Sequence, residues 1–256
     1  MKLVAALDIK AGAVVSLVGG GGKTTLMFAL ARELAAEGHR VITTTTTRIA
    51  VPAPGETGLL IVEEAPARLI AALRRQLGKT GHITVAAGQS PPGKLVGVAP
   101  ELVAEMAALP GVACVIVEAD GAAGRPLKAP NRTEPVIPGC SSLVIPVVGI
   151  EAAGAPLEGS HVFRPEIAAR LLGLEMGEVI SAEAIARLVT HPQGMAKGSP
   201  GPARIVPFIN KVDLPGGMAR AREVARCILE RKHPRIERVV LGQARRPEPV
   251  VAVITA

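Results

Sequence analysis

A run of glycines followed by a lysine and two threonines is the segment of this sequence best suited to binding phosphate. Its residues are Gly19, Gly20, Gly21, Gly22, Lys23, Thr24 and Thr25. An apolar run precedes it and a helical pattern follows it, so a bound phosphate would lie at the positive N-terminus of a helix. Lys23 would reach the terminal phosphates, and the Thr24 hydroxyl would ligate Mg²⁺. We therefore predict a phosphate loop that binds a Mg²⁺–nucleotide.

The spacing of this loop departs from the common form. That form has a glycine five positions before Gly22, where this chain has Leu17. The loop resembles the shorter variant of Mur-type ligases, and it has Val18 where metal-chaperone and partitioning ATPases carry a second lysine. The alternative interpretation is a glycine-rich turn in which Lys23 is a solvated residue of the first helical turn.

Two carboxylates, Glu118 and Asp120, stand at the end of a second apolar run. In phosphate-loop proteins this place holds the acid that orients Mg²⁺ or its water. We predict that Thr24 and Asp120 bind the metal, although the spacing leaves open which acid does so, and either could polarise an attacking water. The alternative is that Asp120 caps the turn at Gly121.

Cations and hydroxyls in two further segments are candidates for contact with a terminal phosphate or a second substrate. Arg125 and Lys128 lie in a polar loop that could close over a terminal phosphate and stabilise developing charge there. We assign Arg125 to the catalytic set with Lys23, Glu118 and Asp120. The predicted substrate residues are Thr46, Thr47, Arg48 and Lys128. The alternatives are a β-branched strand end and solvated loop cations.

Asn210, Lys211 and Asp213 form the NKxD pattern of guanine-nucleotide proteins. A carboxylate at Asp213 accepts hydrogen bonds from N1–H and N2–H₂ of guanine, donors that adenine does not present. Asn210 reaches the N7/O6 edge, and the stem of Lys211 covers the ring face. Residues 242–244 could offer a backbone N–H to guanine O6. We predict guanine over adenine; the alternative is a strand end whose Asn and Asp cap the helix near Gly216.

The apolar periodicity predicts alternating strands and helices. Predicted strands lie at residues 14–18, 40–46, 59–62, 83–87, 112–117, 143–148, 204–209, 239–241 and 250–254. Predicted helices lie at residues 24–37, 66–77, 100–109, 165–172, 182–189 and 217–231. This alternation indicates an α/β P-loop NTPase fold with a mostly parallel sheet flanked by helices. We expect a single domain over residues 1–256, with a helical and loop subdomain at residues 151–203.

Composition narrows the class of protein and its partners. The 256 residues carry 29 basic and 22 acidic side chains, a net charge of +7 that favours anionic ligands. Three phenylalanines with no tyrosine or tryptophan disfavour base stacking, and hence nucleic acid as a partner. The three cysteines form no CxxC, which disfavours disulfides and zinc. No apolar run approaches the roughly 18 residues of a spanning helix, so we expect no membrane partner and a cytoplasmic location.

Six stretches together resemble one family, the YqeC-type proteins. They are SLVGGGGKTTLM, VITTTTTRI, VIVEADGAAGRPLKAP, HVFRPE, KGSPGPAR and FINKVD, in one order over residues 14–213. That family is described as accessory proteins of selenium-dependent molybdenum hydroxylases, or as selenium cofactor biosynthesis proteins. The resemblance implies that a selenium-dependent molybdenum hydroxylase, or its cofactor, is a partner and that the protein helps to mature it.

Three hypotheses about function follow. The first is a Mg²⁺-dependent nucleotide hydrolase that prefers GTP to ATP. The second is an ATP-dependent kinase or ligase acting on a small anionic substrate. The third is a non-catalytic chaperone whose affinity for a partner changes with the nucleotide that it holds.

Overall fold

Strands and helices alternate along most of the chain. A computed structural model describes residues 1–91 and 93–255, and these contain fifteen strands and seven α-helices. The strands are β1 (Ala13–Gly19), β2 (Arg40–Thr45), β3 (Arg48–Ala50), β4 (Leu59–Val62), β5 (His82–Ala86), β6 (Gly88–Ser90), β7 (Lys94–Val96), β8 (Val112–Glu118), β9 (Leu127–Lys128), β10 (Leu143–Gly149), β11 (Val162–Phe163), β12 (Arg204–Ile205), β13 (Phe208–Asn210), β14 (Arg238–Gly242) and β15 (Val250–Thr255). The helices are α1 (Leu3–Leu7), α2 (Lys23–Ala36), α3 (Pro66–Gln76), α4 (Leu102–Ala107), α5 (Pro165–Leu172), α6 (Ala182–Thr190) and α7 (Gly217–Glu230).

The strand that leads into the glycine run, β1, lies inside a ten-stranded sheet. The strand order is β15-β14-β13-β10-β1-β8-β2-β5-β4, and β12 pairs with β10 off this path. Within the described residues, the pair β14–β15 is the antiparallel pair of this sheet. Every residue of β1 and β10 is buried, as expected for strands covered on both faces. The predicted α/β fold with a mostly parallel, helix-flanked sheet is confirmed, and it is compatible with a P-loop NTPase.

The parallel arrangement brings the C-terminal ends of the central strands to one edge of the sheet. There β1 ends at the glycine run, β8 ends at Glu118, β2 ends in the threonine run and β13 ends at Asn210. In open α/β sheets, ligands bind in the crevice outside these carboxyl ends. Segments that are far apart in sequence and carry the predicted chemistry therefore meet at one edge.

The prediction of one continuous strand at residues 204–209 is wrong in one respect, because this segment forms two short strands. Both β12 and β13 pair with β10 in the same register, with Leu143 opposite Arg204 and Val147 opposite Phe208. Pro207 lies between them and has no N–H to donate to the ladder. The interruption is therefore local and does not change the direction of the chain.

Several short elements are not predicted by the sequence pattern. Helix α1 is one: it buries Leu3 and Leu7, and the N–H groups of Leu3 and Val4 each donate to the Glu33 carboxylate at 2.8 Å. A small sheet with the order β3-β7-β6 is another, and each of its strands has three residues. Three residues are too few for an apolar period to be recognised.

The segment 151–203 contains β11, α5 and α6. Its fully buried residues Leu157, Ile185 and Leu188 belong to the same hydrophobic cluster as Val144 and Val148 of β10. The segment thus packs on the sheet, and the predicted domain boundaries stay a prediction. Among the described residues, no helix combines the length and the apolar character that crossing a bilayer requires.

Candidate functional site

A cleft of about 980 Å³ opens at the carboxyl edge of the sheet. Four of the predicted segments line it: the phosphate loop, the end of the threonine run with Arg48, the loop after β8 and the NKxD motif. Eight basic residues face three acidic ones around it. The basic residues are Lys23, Arg48, Lys94, Arg125, Arg164, Lys211, Arg245 and Arg246, and the acidic residues are Glu118, Glu134 and Asp213. The side chains that line the cleft therefore carry a net positive charge, which favours anionic ligands.

The glycines of the phosphate loop permit close approach to neighbouring backbone. Gly21 (φ 74°) lies against the backbone of Gly149, and Gly22 (φ 116°) lies against the Asn210 side chain, so a Cβ at either position would overlap its neighbour. The N–H of Gly21 donates to the Arg125 carbonyl at 2.9 Å. Gly22, at the N-cap of α2, supplies no side-chain cap. The N–H groups of the first turn, which lines the cleft, are therefore available to an anion.

The Lys23 ammonium is buried among oxygen acceptors. It donates to the Gly19 carbonyl at 2.6 Å and lies 3.2 Å from Asp120 Oδ1 and 3.7 Å from Glu118 Oε1. Burial alone would lower the pKa of Lys23, but the attraction of Asp120 and Glu118 outweighs burial and raises the pKa above its ordinary value. Lys23 is therefore a charged group at the base of the cleft.

Glu118 is the carboxylate that contacts the phosphate-loop threonine. Thr24 Oγ1 donates to Glu118 Oε2 at 2.6 Å, and both residues line the cleft. Burial raises the pKa of Glu118 above its ordinary value, although Lys23 and Thr24 act in the opposite direction. A hydroxyl beside a carboxylate is a hard oxygen set of the kind that Mg²⁺ takes together with phosphate oxygens. The side chains present thus fit the metal.

Asp120 lies behind this pair rather than in the cleft lining. Both of its oxygens accept from the Gly19 N–H at 3.1 Å, and Oδ2 lies 3.1 Å from Lys128 Nζ. Asp120 therefore holds the start of the phosphate loop and orients Lys23. The prediction that Asp120 meets the metal stays a prediction, and the geometry brings Glu118 closer to Thr24.

Lys128 extends this network from Asp120 to Glu134, which lines the cleft. Its buried ammonium donates to the Gly121 carbonyl at 2.5 Å and to Glu134 Oε2 at 2.9 Å. Arg164 forms an ion pair with the same Glu134 oxygen at 2.5 Å. Burial opposes ionisation of Glu134, but Lys128 and Arg164 outweigh it and lower its pKa. In this arrangement Lys128 positions Asp120 and does not line the cleft.

Asn210 joins the NKxD motif to the phosphate loop. Its Nδ2 donates to the Gly21 carbonyl at 2.8 Å, and its Oδ1 accepts from the Ala244 N–H at 2.9 Å. The side chain is 3% exposed, so both bonds are shielded from water. Of residues 242–244, which we expected to offer a backbone N–H to guanine O6, Ala244 donates its N–H to Asn210 in this structure.

The other two members of the motif are partly exposed and face the cleft. Lys211, at φ 65°, forms an ion pair with Glu151. Asp213 Oδ2 lies 3.0 Å from Arg246 Nε. Lys211 and Asp213 thus each form an ion pair near the surface. Replacing such a partner by a ligand costs little free energy.

The remaining predicted residues take different positions. Arg125 lines the cleft and donates from Nε to the Gly159 carbonyl at 2.5 Å. Thr46 donates to the Val136 carbonyl at 2.6 Å and does not line the cleft. Thr47 and Arg48 line it, as does Thr25. Gly19 and Gly20 lie beneath it, where the Gly20 N–H donates to the Val147 carbonyl at 2.9 Å.

Several residues that line the cleft are not predicted as site candidates from the sequence. Lys94 belongs to a three-residue strand and carries no motif. Phe163 and Arg164 lie in the HVFRPE stretch, and the Arg164 guanidinium stacks over the Phe163 ring at 4.6 Å. Arg164 also adopts φ 64°, a left-handed conformation that is uncommon for a residue with a side chain. The HVFRPE stretch was the only available signal for this pair.

Comparison with known proteins agrees with the resemblance noted in the sequence. The family model described as YqeC protein matches residues 15–166. The chain is 37% identical over 199 residues to "Uncharacterized protein YqeC" of Escherichia coli (strain K12), which covers 77% of this chain and 75% of that protein. The matched region includes the phosphate loop, the Glu118 strand end and the Arg164 segment, and on this evidence the chain belongs to the YqeC family.

Proposed function

We propose that this protein binds a Mg²⁺–nucleotide, with GTP preferred to ATP, and hydrolyses it. One observation carries the proposal: Asn210 of the NKxD motif is hydrogen-bonded to the Gly21 carbonyl of the phosphate loop, at the edge of one cleft. A base at Asp213 and phosphates at Lys23 would then belong to a single ligand.

The binding roles follow from the positions of the side chains. The first-turn N–H groups of α2 and the Lys23 ammonium receive the phosphates. Thr24 and Glu118 would hold Mg²⁺, which supplies neutralisation of phosphate charge. Asp120 is proposed to act behind them, because it fixes the Gly19 N–H and the Lys23 ammonium. Asp213 exchanges Arg246 for the guanine N1–H and N2–H₂ donors.

Hydrolysis would transfer the terminal phosphoryl group to water and release the nucleoside diphosphate and phosphate. Lys23 and Arg125 stabilise the charge on the terminal phosphate oxygens. Arg125 is half-buried at the cleft wall, and its carbonyl accepts from the Gly21 N–H, so this wall and the phosphate loop are one unit. Glu118 is the nearest carboxylate to the phosphate loop that faces the cleft, and it would orient the attacking water.

The cellular role that we propose is help in maturing a selenium-dependent molybdenum hydroxylase or its cofactor. Support for this role is the family resemblance described above. A nucleotide cycle would give such an accessory protein two states with different affinity for its client. The non-catalytic chaperone hypothesis shares these states and differs only in having no turnover.

Titration with GTP, ATP and their diphosphates in the presence of Mg²⁺ tests the nucleotide proposal. We expect GTP to bind more tightly than ATP, and Lys23→Ala to abolish binding and turnover. Lys79→Ala, which removes an exposed lysine outside the cleft, should bind as the wild type does. ATP binding at least ten times tighter than GTP would contradict the guanine assignment. Retained binding in a folded Lys23→Ala protein would contradict the phosphate loop.

A further inference from the structure

Arg48 and Lys94 form a second cationic wall in the cleft, beyond the phosphate loop. The geometry points to a second binding site at this wall, for a small molecule that carries a phosphate monoester. The inference rests on the proposed function, because it takes the nucleotide to fill the rest of the cleft.

The order of strands separates this wall from the NKxD motif. Strand β13, which ends at Asn210, and strand β2, which leads to Arg48, are four inter-strand spacings apart, roughly 19 Å. Strand β1 and its phosphate loop lie midway between them. A nucleotide with its base at Asp213 and its phosphates at Lys23 therefore occupies the half from β13 to β1. The other half faces the terminal phosphate and stays open to a second ligand.

The wall is one face of the small sheet of β3, β7 and β6, and the packing of the other face holds it in position. The antiparallel register places Ala50 opposite Lys94, so Arg48, two residues from Ala50, projects from the same face as Lys94. That face lines the cleft. On the other face, Ile49 and Leu95 are buried in a hydrophobic cluster, which holds the sheet in place.

Backbone hydrogen bonds attach this sheet to the end of β2. The Gly97 N–H donates to the Thr47 carbonyl at 2.7 Å, and the Val98 N–H donates to the Thr45 carbonyl at 2.8 Å. Gly97 lies so close to the backbone of Thr46 that a Cβ would overlap it. The position of the wall relative to the phosphate loop is therefore set by the main sheet.

The charges of the wall suit a dianion. The cleft cations that pair with a carboxylate are Lys23, Arg164, Lys211 and Arg246. Within residues 1–91 and 93–255, the other four cleft cations, Arg48, Lys94, Arg125 and Arg245, take part in no such pair. Of these four, Arg48 and Lys94 belong to the wall. A phosphate monoester carries between about 1.5 and 2 negative charges at neutral pH, which two unpaired cations balance. The volume, about 980 Å³, is near the upper end of the range for small-molecule clefts.

Calorimetric titration with inorganic phosphate tests the site while a non-hydrolysable GTP analogue and Mg²⁺ saturate the phosphate loop. At constant ionic strength, the double variant Arg48→Gln/Lys94→Gln should bind phosphate at least about tenfold more weakly than the wild type. The matched control Lys79→Gln removes an exposed lysine elsewhere and should stay within about twofold. Succinate, a dicarboxylate of similar charge, should bind more weakly than phosphate.

The other outcomes overturn the inference. Equal phosphate affinity in the double variant and in Lys79→Gln would show that Arg48 and Lys94 form no site. Succinate binding as tight as phosphate would overturn the phosphate class. Loss of GTP-analogue affinity as large as the loss of phosphate affinity would assign the wall to the nucleotide. If the wild type binds no analogue, the proposed function fails, and phosphate titration of Lys23→Ala with and without the double substitution still tests the wall.

Discussion

Asn210 Nδ2 donates a hydrogen bond of 2.8 Å to the carbonyl oxygen of Gly21, a residue 189 positions earlier in the chain. The same amide accepts from the Ala244 N–H, so one side chain connects the phosphate loop, the end of β13 and the segment after β14. Because the amide is buried, its geometry couples the NKxD side of the cleft to the phosphate-loop side.

Asn210→Ala should loosen this connection. The variant leaves the Gly21 carbonyl and the Ala244 N–H without partners in a buried position, which costs about 2 kcal/mol of unfolding free energy. We expect GTP affinity to fall about tenfold, since a loosened loop binds phosphate less well. Urea unfolding and GTP titration measure both effects. Gln89→Ala, an exposed substitution on β6, is the control, and equal behaviour of the two variants would contradict the coupling.

Asp213→Asn should change the preferred base. An amide donates to the C2 carbonyl of xanthine, whereas the carboxylate accepts from guanine, so the GTP/XTP affinity ratio should fall about tenfold or more. Competition binding with both nucleotides measures the ratio. Arg246→Gln frees the Asp213 carboxylate from its partner and should raise GTP affinity by no more than about threefold. A GTP/XTP ratio unchanged by Asp213→Asn would argue against guanine recognition at this residue.

A comparison of Gly21→Ala with Gly12→Ala separates the energetic cost of steric overlap from the cost of a left-handed backbone conformation. Both glycines have φ near 75°, at 74° and 76°, but a Cβ at Gly21 meets the Gly149 backbone whereas nothing lies within 4 Å of a Cβ at Gly12. Gly12→Ala should cost about 1 kcal/mol, and Gly21→Ala about 3 kcal/mol or more, because backbone overlap adds to the conformational cost. Chemical denaturation gives both values. Equal losses would show that the loop moves freely away from Gly149.

Lys23 and Glu118 should be energetically coupled. Lys23→Met removes the cation that lies beside the buried carboxylates of Glu118 and Asp120. The variant should therefore lose about 3 kcal/mol of unfolding free energy. Glu118→Gln removes one of those charges and keeps an acceptor for Thr24. The double variant should therefore be about 1 kcal/mol more stable than the sum of the single effects predicts. A double-mutant cycle of unfolding free energies measures this term, and strict additivity would refute the coupling.

His82 should make stability fall in acid. Burial, aided by the charge of Arg32, lowers the pKa of His82 from 6.5 to about 4 in the folded protein. Between these values the unfolded chain binds the proton and the folded chain does not, so stability is full above pH 6.5 and is lost as pH falls toward 4. The loss attributable to His82 is about 3 kcal/mol.

Urea unfolding at several pH values checks this dependence. His82→Gln cannot titrate but can still pair with Thr43, which lies 2.9 Å from the His82 Nε2 atom. Its stability should therefore fall less between pH 6.5 and 4 than that of the wild type, whereas the surface variant His39→Gln should follow the wild type. A wild-type curve and a His82→Gln curve that run parallel would contradict the assignment.

Much of this fold and of its candidate site is determined by local sequence. Apolar runs and helical periods indicate most of the sheet and its helices, because each element buries its own apolar face. The glycine run before Lys23, and Asn210 with Asp213, predict the type of chemistry, because phosphate and guanine each require particular donors and acceptors.

The tertiary structure alone decided how these groups meet. Glu118 and Asp120 are two residues apart, and only the packing of β8 beside β1 directs one to Thr24 and the other to Gly19 and Lys128. Lys94 carries no local signal, and its place in the cleft follows from a small sheet attached to β2 by long-range hydrogen bonds. Sequence periodicity reports which face of an element is buried, whereas the partner of a polar side chain depends on strand order and register.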